Sequence, residues 1–130
     1  MTATEQALAL TAAAADAAAD KLARDLVAYD VSDQLVITDV FLICSAANDR
    51  QVRAVVDAVE ERLLTMGVKP VRREGQREGR WVLLDFVDIV VHVLHEEERT
   101  YYSLERIWRD CPVVPVPAEA AAGPSGEAGR

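Results

Sequence analysis

Apolar residues crowd most densely between Gly79 and His95, GRWVLLDFVDIVVHVLH, the longest apolar run in the chain. Val, Ile, Leu, Phe and Trp fit a pleated surface, and the run breaks at Asp85-Phe86-Val87-Asp88. It predicts two strands of about five to seven residues joined by a tight turn. A single helix is the competing reading, but Val82, Val87, Ile89, Val90, Val91 and Val93 are β-branched and argue against it. Successive strand side chains point to opposite faces. Trp81, Leu83 and Asp85 therefore share one face, and Val82, Leu84 and Phe86 the other. The second set is wholly apolar and belongs to the core. The first mixes apolar and polar groups, as an interface does.

The remaining periodicity places helices around this pair. Residues 4–28 are Ala-rich, with Leu8, Ala12, Ala15, Ala19, Leu22 and Leu26 at helical spacing, and they predict a first helix with a weakly packing stripe. Val31-Ser32-Asp33-Gln34 ends it. Leu35 to Ser45 reads as one or two strands interrupted near Thr38-Asp39. Asn48 is a candidate N-cap, with Gln51 three residues on as in a capping box. Val52, Val55, Val56, Val59 and Leu63 then recur as one helical face, and Gly67 is a natural stop. Val68 to Arg73 is a short strand candidate, and residues 74–79 are a polar loop. Glu96, Glu97 and Glu98 suit the positive end of a last helix, with Tyr101, Leu104 and Trp108 as its apolar stripe and Ile107 beside it. The final 19 residues from Pro112 hold four of the five prolines and three of the six glycines. They read as a disordered tail. The expected organisation is one domain over residues 1–111 and a tail over 112–130. Its class is α/β, a mixed sheet flanked by helices.

Composition narrows the function classes. The chain has 130 residues, a formal net charge of −8 and a pI of about 4.7. One domain of this size can bury a substantial core. An acidic chain is poorly matched to a broad nucleic-acid face, which needs clustered Lys and Arg, so direct DNA binding is not expected. It is better matched to a basic protein partner. MTATEQ lacks the basic start and apolar segment of a signal peptide. No apolar run reaches the ~20 residues of a membrane span. A cytoplasmic protein without a membrane association is the expectation.

Candidate chemistry is sparse. GxGxxG, the P-loop, GxSxG and HExxH are all missing from the sequence. The two cysteines, Cys44 and Cys111, form no metal-ligand cluster, and Cys44 reads as core. Asp85 and Asp88 could hold a cation, but turn aspartates usually bond their own backbone. His92 and His95 point to opposite faces of one strand and cannot easily chelate one ion. His92 is either a satisfied sheet histidine or a functional contact. Arg72, Arg73, Arg77 and Arg80 are the one basic run, either a solvated loop or a contact surface. Trp81 either fills the core or anchors a partner, a role for which Trp is enriched. No metal, cofactor or catalytic residue is expected.

Two segments carry a family resemblance: ITDVFLICSAANDRQVRAVVDAVEERL, and then EGQREGRWVLLDFVDIVVHVLHEEERTYYSLERIW. With Asp-Arg-Gln-Val at 49–52, Gly-Arg-Trp at 79–81, the Asp85/Asp88 pair and Val-His-Val at 91–93, the chain closely resembles the ribosomal silencing factor (RsfS), or iojap, family. The resemblance runs from about Leu22 to Trp108. It implies a nucleotidyltransferase-like topology and a non-catalytic role. That role is binding the large ribosomal subunit through ribosomal protein L-fourteen, blocking association with the small subunit and repressing translation when nutrients are short. It also implies a homodimer when free. The alternative, a nucleotidyltransferase-type enzyme, needs a Gly-Ser turn and an Asp-x-Asp pair to hold metals. Neither is in the sequence. The expected partner-binding residues are Trp81, Arg80, Leu83, Asp85 and His92. His92 joins that group only if the two strands pair in the register that puts it beside Trp81.

Overall fold

In the computed structural model the described residues are 3–35, 37–102 and 105–116. The element order is α1 (Glu5–Asp20), β1 (Arg24–Asp30), β2 (Val40–Ala46), α2 (Asp49–Leu64), β3 (Arg72–Glu74), β4 (Trp81–Asp85), β5 (Ile89–His95), α3 (Glu96–Tyr102), α4 (Glu105–Trp108) and β6 (Val113–Val114). The strands form one mixed sheet in the order β3-β4-β5-β2-β1-β6. Only β2 and β5 run parallel; every other neighbouring pair is antiparallel. The sheet is flanked by helices, as the α/β expectation requires.

The central hairpin forms as the alternation dictates. Val82 pairs with Val93, Leu83 with His92 and Leu84 with Val91. Asp85 turns the chain by accepting the backbone N–H of Val87 at 2.9 Å, which is the turn role rather than the cation role. Val87 itself takes φ +76°. That is a costly conformation for a β-branched residue, and the paired strands on either side hold it in place.

Helix α2 is read correctly from its spacing. Val52, Val55, Val56, Val59 and Leu63 are its buried face, and Asn48 caps it through a bond from the Gln51 N–H. The box differs in one detail. The Gln51 side chain accepts from the N–H of Ala47, not of Asn48, and donates to the carbonyls of Lys21 and Leu22. It thereby ties the start of α2 to the end of α1. Gly67, at φ +81°, follows the helix as expected.

Helix α1 corrects the sequence reading twice. It stops at Asp20, and residues 24–28, expected to be helical, belong to the strand Arg24–Asp30. Its buried face is Ala7, Leu10, Thr11, Ala14, Ala15, Ala17 and Ala18. Of the expected stripe within the helix, Leu8 is 40% exposed, Ala12 is exposed and only Ala15 is fully buried. An alanine helix is apolar nearly all round, so spacing cannot fix which side turns inward. The stop is equally silent. Leu22, not Gly, adopts φ +65° and lies 74% exposed. Leu26 is buried, but from β1.

Three smaller corrections follow. Leu35 and residues 37–39 are not strand, residue 36 lying outside the described residues, and β2 begins at Val40. The strand expected over 68–73 is the three residues of β3. The sheet also continues past Pro112. Val113 and Val114 pair with Tyr29 and Ala28, so the expected tail contributes an edge strand. Two apolar β-branched residues suffice because β1 supplies the hydrogen-bonding edge. Residues 117–130, the rest of that tail, lie outside the described residues.

The main core lies between α1, α2 and one face of the sheet. Val40, Leu42, Cys44, Ala46, Val82, Leu84, Ile89, Val91 and Val93 fill it from the strands. Each large apolar side chain buried there contributes roughly 1.5–3 kcal/mol. Burial pushes the Cys44 thiol up to about 12, which fits the core role read from the sequence.

Candidate functional site: the open face of the sheet

The opposite face is built from the alternate residues of the same strands. Register places Val27 and Tyr29 of β1, Phe41 and Ile43 of β2, Val90, His92 and Leu94 of β5, and Trp81, Leu83 and Asp85 of β4 on it. Tyr29, Ile43 and Leu94 are buried in a small second cluster with Val31 and Cys111. Val27, Phe41, Trp81, Leu83 and Asp85 are only half-buried. Among the described residues, the helices beside β5 and β2 on this side are the short α3 and α4. Trp108 of α4 meets Phe41 edge-on, with ring centroids 5.0 Å apart. Ile107, expected beside the stripe, is 64% exposed. The side chains of Tyr101 and Leu104 lie outside the described residues.

Trp81, Leu83, Asp85 and His92 therefore come together. His92 stands directly opposite Leu83, and the indole N–H of Trp81 donates to its Nδ1 at 3.2 Å. Phe41 contacts the same imidazole edge-on at 5.1 Å. This is the register on which His92's membership depended. Burial lowers the pKa of His92 to about 4, so the ring is neutral at ordinary pH. An indole N–H can only donate, so Nδ1 must accept and the imidazole proton sits on Nε2. His95 is elsewhere, its Nδ1 accepting the N–H of Glu97.

Arg80 is placed differently. It lies just before β4 and donates to Glu98 and Glu97, each at 2.8 Å. Those contacts raise its pKa. The arginine pins the start of α3, which follows β5 directly. The rest of the basic run is also engaged: Arg73 forms a two-bond pair with Glu60, and Arg72 lies 3.4 Å from Glu74 and 3.8 Å from Asp85. Among the described residues Arg77 is the member of that run without an ion pair, so the run offers little net positive surface. The loop before β4 is fixed by Gly75 at φ +84°, where an added Cβ would collide with the Trp81 carbonyl. That close approach explains the glycine in Glu-Gly-Gln-Arg-Glu-Gly and seats Trp81 at the strand start.

Elsewhere, a cleft of about 550 Å³ lies beyond the ends of the parallel strands β2 and β5, lined by Asn48, Asp49, Arg50, Arg80 and His95. In α/β sheets that position commonly takes ligands. Among the described residues no three His, Cys, Asp or Glu side chains converge as a metal site. No helix among them is long and apolar enough to cross a membrane.

The family model described as ribosomal silencing factor during starvation matches residues 4–128. The chain belongs to the ribosomal silencing factor (RsfS) family. The match extends well beyond Leu22–Trp108, the stretch that carries the resemblance in the sequence, and takes in α1 and β6. The Bacillus subtilis ribosomal silencing factor RsfS is 42% identical over 106 residues, covering 82% of this chain and 87% of that one. The fold is also that of a crystal structure from Chromobacterium violaceum, with TM-score 0.75 and 32% identity over 78% of this chain and 84% of that one. A more distant mouse relative is named mitochondrial assembly of ribosomal large subunit protein 1. It is 29% identical over 89 residues, 66% of this chain and 39% of its own. The ribosomal silencing factor family is defined by a regulatory role rather than by a reaction.

Proposed function

We propose that this ribosomal silencing factor binds the large ribosomal subunit with the open face of its sheet, through ribosomal protein L-fourteen. Bound there, it sterically keeps the small subunit from docking and so represses translation when nutrients are short. The observation that carries the reading is the contrast within β4. Val82 and Leu84 are sealed under helices, while Trp81, Leu83 and Asp85 stay half-buried beside one another. Trp and a neighbouring apolar group with a polar rim are what an interface centre needs. A chain of net charge −8 suits a basic ribosomal protein, and the name of the mouse relative supports the large subunit as the target. Arg80 contributes at the rim, by holding the glutamates of α3 beside the face. The family resemblance further supports a homodimer when free, and a cytoplasmic site of action.

A steric blocker acts only on a free subunit face. Order of addition in a purified translation system tests this directly. Protein added to separate subunits inhibits in proportion to its ratio to large subunits. The same protein added after joining has little effect. Equal inhibition in both orders contradicts the mechanism.

A further inference from the structure

His92 has an unused hydrogen-bond donor. The residue is 8% exposed, in the middle of β5 with Leu83 on one side and Ile43 on the other. Its Nδ1 accepts from Trp81, which leaves the proton on Nε2. Nε2 is buried and has no hydrogen-bond partner among the described residues. A buried donor left unmade is costly, and native structures rarely keep one without a use. A leucine or phenylalanine at this position would fill the face without that cost. Trp81, the residue that fixes the ring's tautomer, is itself half-exposed at the centre of the proposed docking face.

We propose that the Nε2–H of His92 is the specificity-determining contact of the open face, donating to a backbone carbonyl oxygen of the protein partner. This rests on the docking reading above. The acceptor is a neutral carbonyl for two reasons. A partner carboxylate would meet Asp85 on the same face and the acidic chain behind it. An ammonium or guanidinium has no lone pair to offer. Nε2 is closed off in the free chain, so the half-buried Leu83 side chain opposite it moves aside on docking, while the Trp81 bond to Nδ1 is kept; rotamer changes of that size are common at interfaces. Trp81 acts as a positioning residue. Its indole N–H keeps the ring in the donating tautomer.

The test compares four variants for melting temperature and for affinity to isolated large ribosomal subunits. His92→Phe keeps the ring volume and removes both nitrogens. It is expected to bind about tenfold more weakly while melting no lower than the unaltered protein, because it removes an unmet donor. His92→Gln offers an oxygen to Trp81 and an N–H to the partner, and is expected to recover most of the lost affinity. Trp81→Phe, which leaves Nδ1 without its donor, is expected to fall between them. Should His92→Phe not fold, His92→Leu makes the same comparison. Unchanged affinity in His92→Phe, or equal weakening in His92→Phe and His92→Gln, overturns the proposal. Leu83→Glu separates the two levels. If it abolishes binding while His92→Phe binds normally, the face is the docking surface and only the role of His92 is wrong. If Leu83→Glu also binds normally, the docking reading itself fails.

Discussion

The two faces of the sheet come from the same strands and differ by one residue of register, yet they have different chemistry. The helix side takes Val40, Leu42, Cys44, Val82, Leu84, Val91 and Val93, all but completely buried, with no polar group wider than a thiol. The other side takes Phe41, Trp81, Leu83, Asp85 and His92, with ring contacts, a carboxylate and an imidazole. The first face is sealed by two helices of 16 residues each. The second is left half-covered. A strand's alternation thus separates stability from recognition, and substitutions one residue apart should fail in different ways.

Leu84→Ala gives the largest loss of stability. It leaves a cavity in the sealed face and costs about 2–5 kcal/mol of folding free energy. Binding by the folded fraction stays normal. Denaturant melts and subunit binding on the same sample read both quantities. A variant of full stability would break the distinction between the faces.

Acid should act next, through His92. Its pKa is near 4 when folded and about 6.5 when unfolded. Between those values the unfolded chain binds the extra proton, so stability falls as pH drops from about 6.5 toward 4 and changes no further below that. The loss is at most about 3 kcal/mol. Melting curves between pH 7 and pH 4 measure it. The slope through that window should be shallower in His92→Gln, and an unchanged slope would show that other groups carry it.

Trp81→Ala should weaken binding to large subunits by about 2 kcal/mol, roughly thirtyfold, with a smaller cost in stability than Leu84→Ala. The half-buried indole sits on the recognition side, so affinity is the first quantity to suffer. A destabilised variant whose folded fraction binds normally would move Trp81 into the structural class. Asn48→Ala sets the lower bound of the series. Loss of its bond to the Gln51 N–H should cost about 1 kcal/mol and change affinity least of the series, because α2 packs on the sealed side of the sheet. Thermal melting and a binding titration decide it.

Much of this division is legible in the sequence, and unevenly so for physical reasons. The hairpin over 79–95 reads clearly because its β-branched residues and its aspartate-bounded turn agree with one another. Strand alternation then sorts Trp81, Leu83 and Asp85 from Val82, Leu84 and Phe86 without any knowledge of the sheet order. Helix α2 reads clearly because bulky valines alternate with charges. Helix α1 does not: alanine offers no size contrast, and the stop at Leu22 uses a residue that carries no turn signal. Residues 24–28 of β1 are lost to the helix as a result. The proximity of His92 to Trp81 depends on strand pairing, which a single strand's pattern cannot supply. The engagement of Arg80, Arg72 and Arg73 with glutamates and aspartate is likewise invisible until the chain folds. A sequence run of arginines looks like a basic surface even when most of it is paired.

The most direct measurement of the central claim is co-sedimentation of Leu83→Glu with isolated large ribosomal subunits. Leu83 lies on the open face, opposite His92, and a half-buried position there can carry a solvated carboxylate with little effect on the sealed core. Leu83→Glu is expected to melt close to the unaltered chain and to stay in the supernatant. A folded Leu83→Glu protein that sediments with large subunits as fully as the unaltered chain would contradict the central claim.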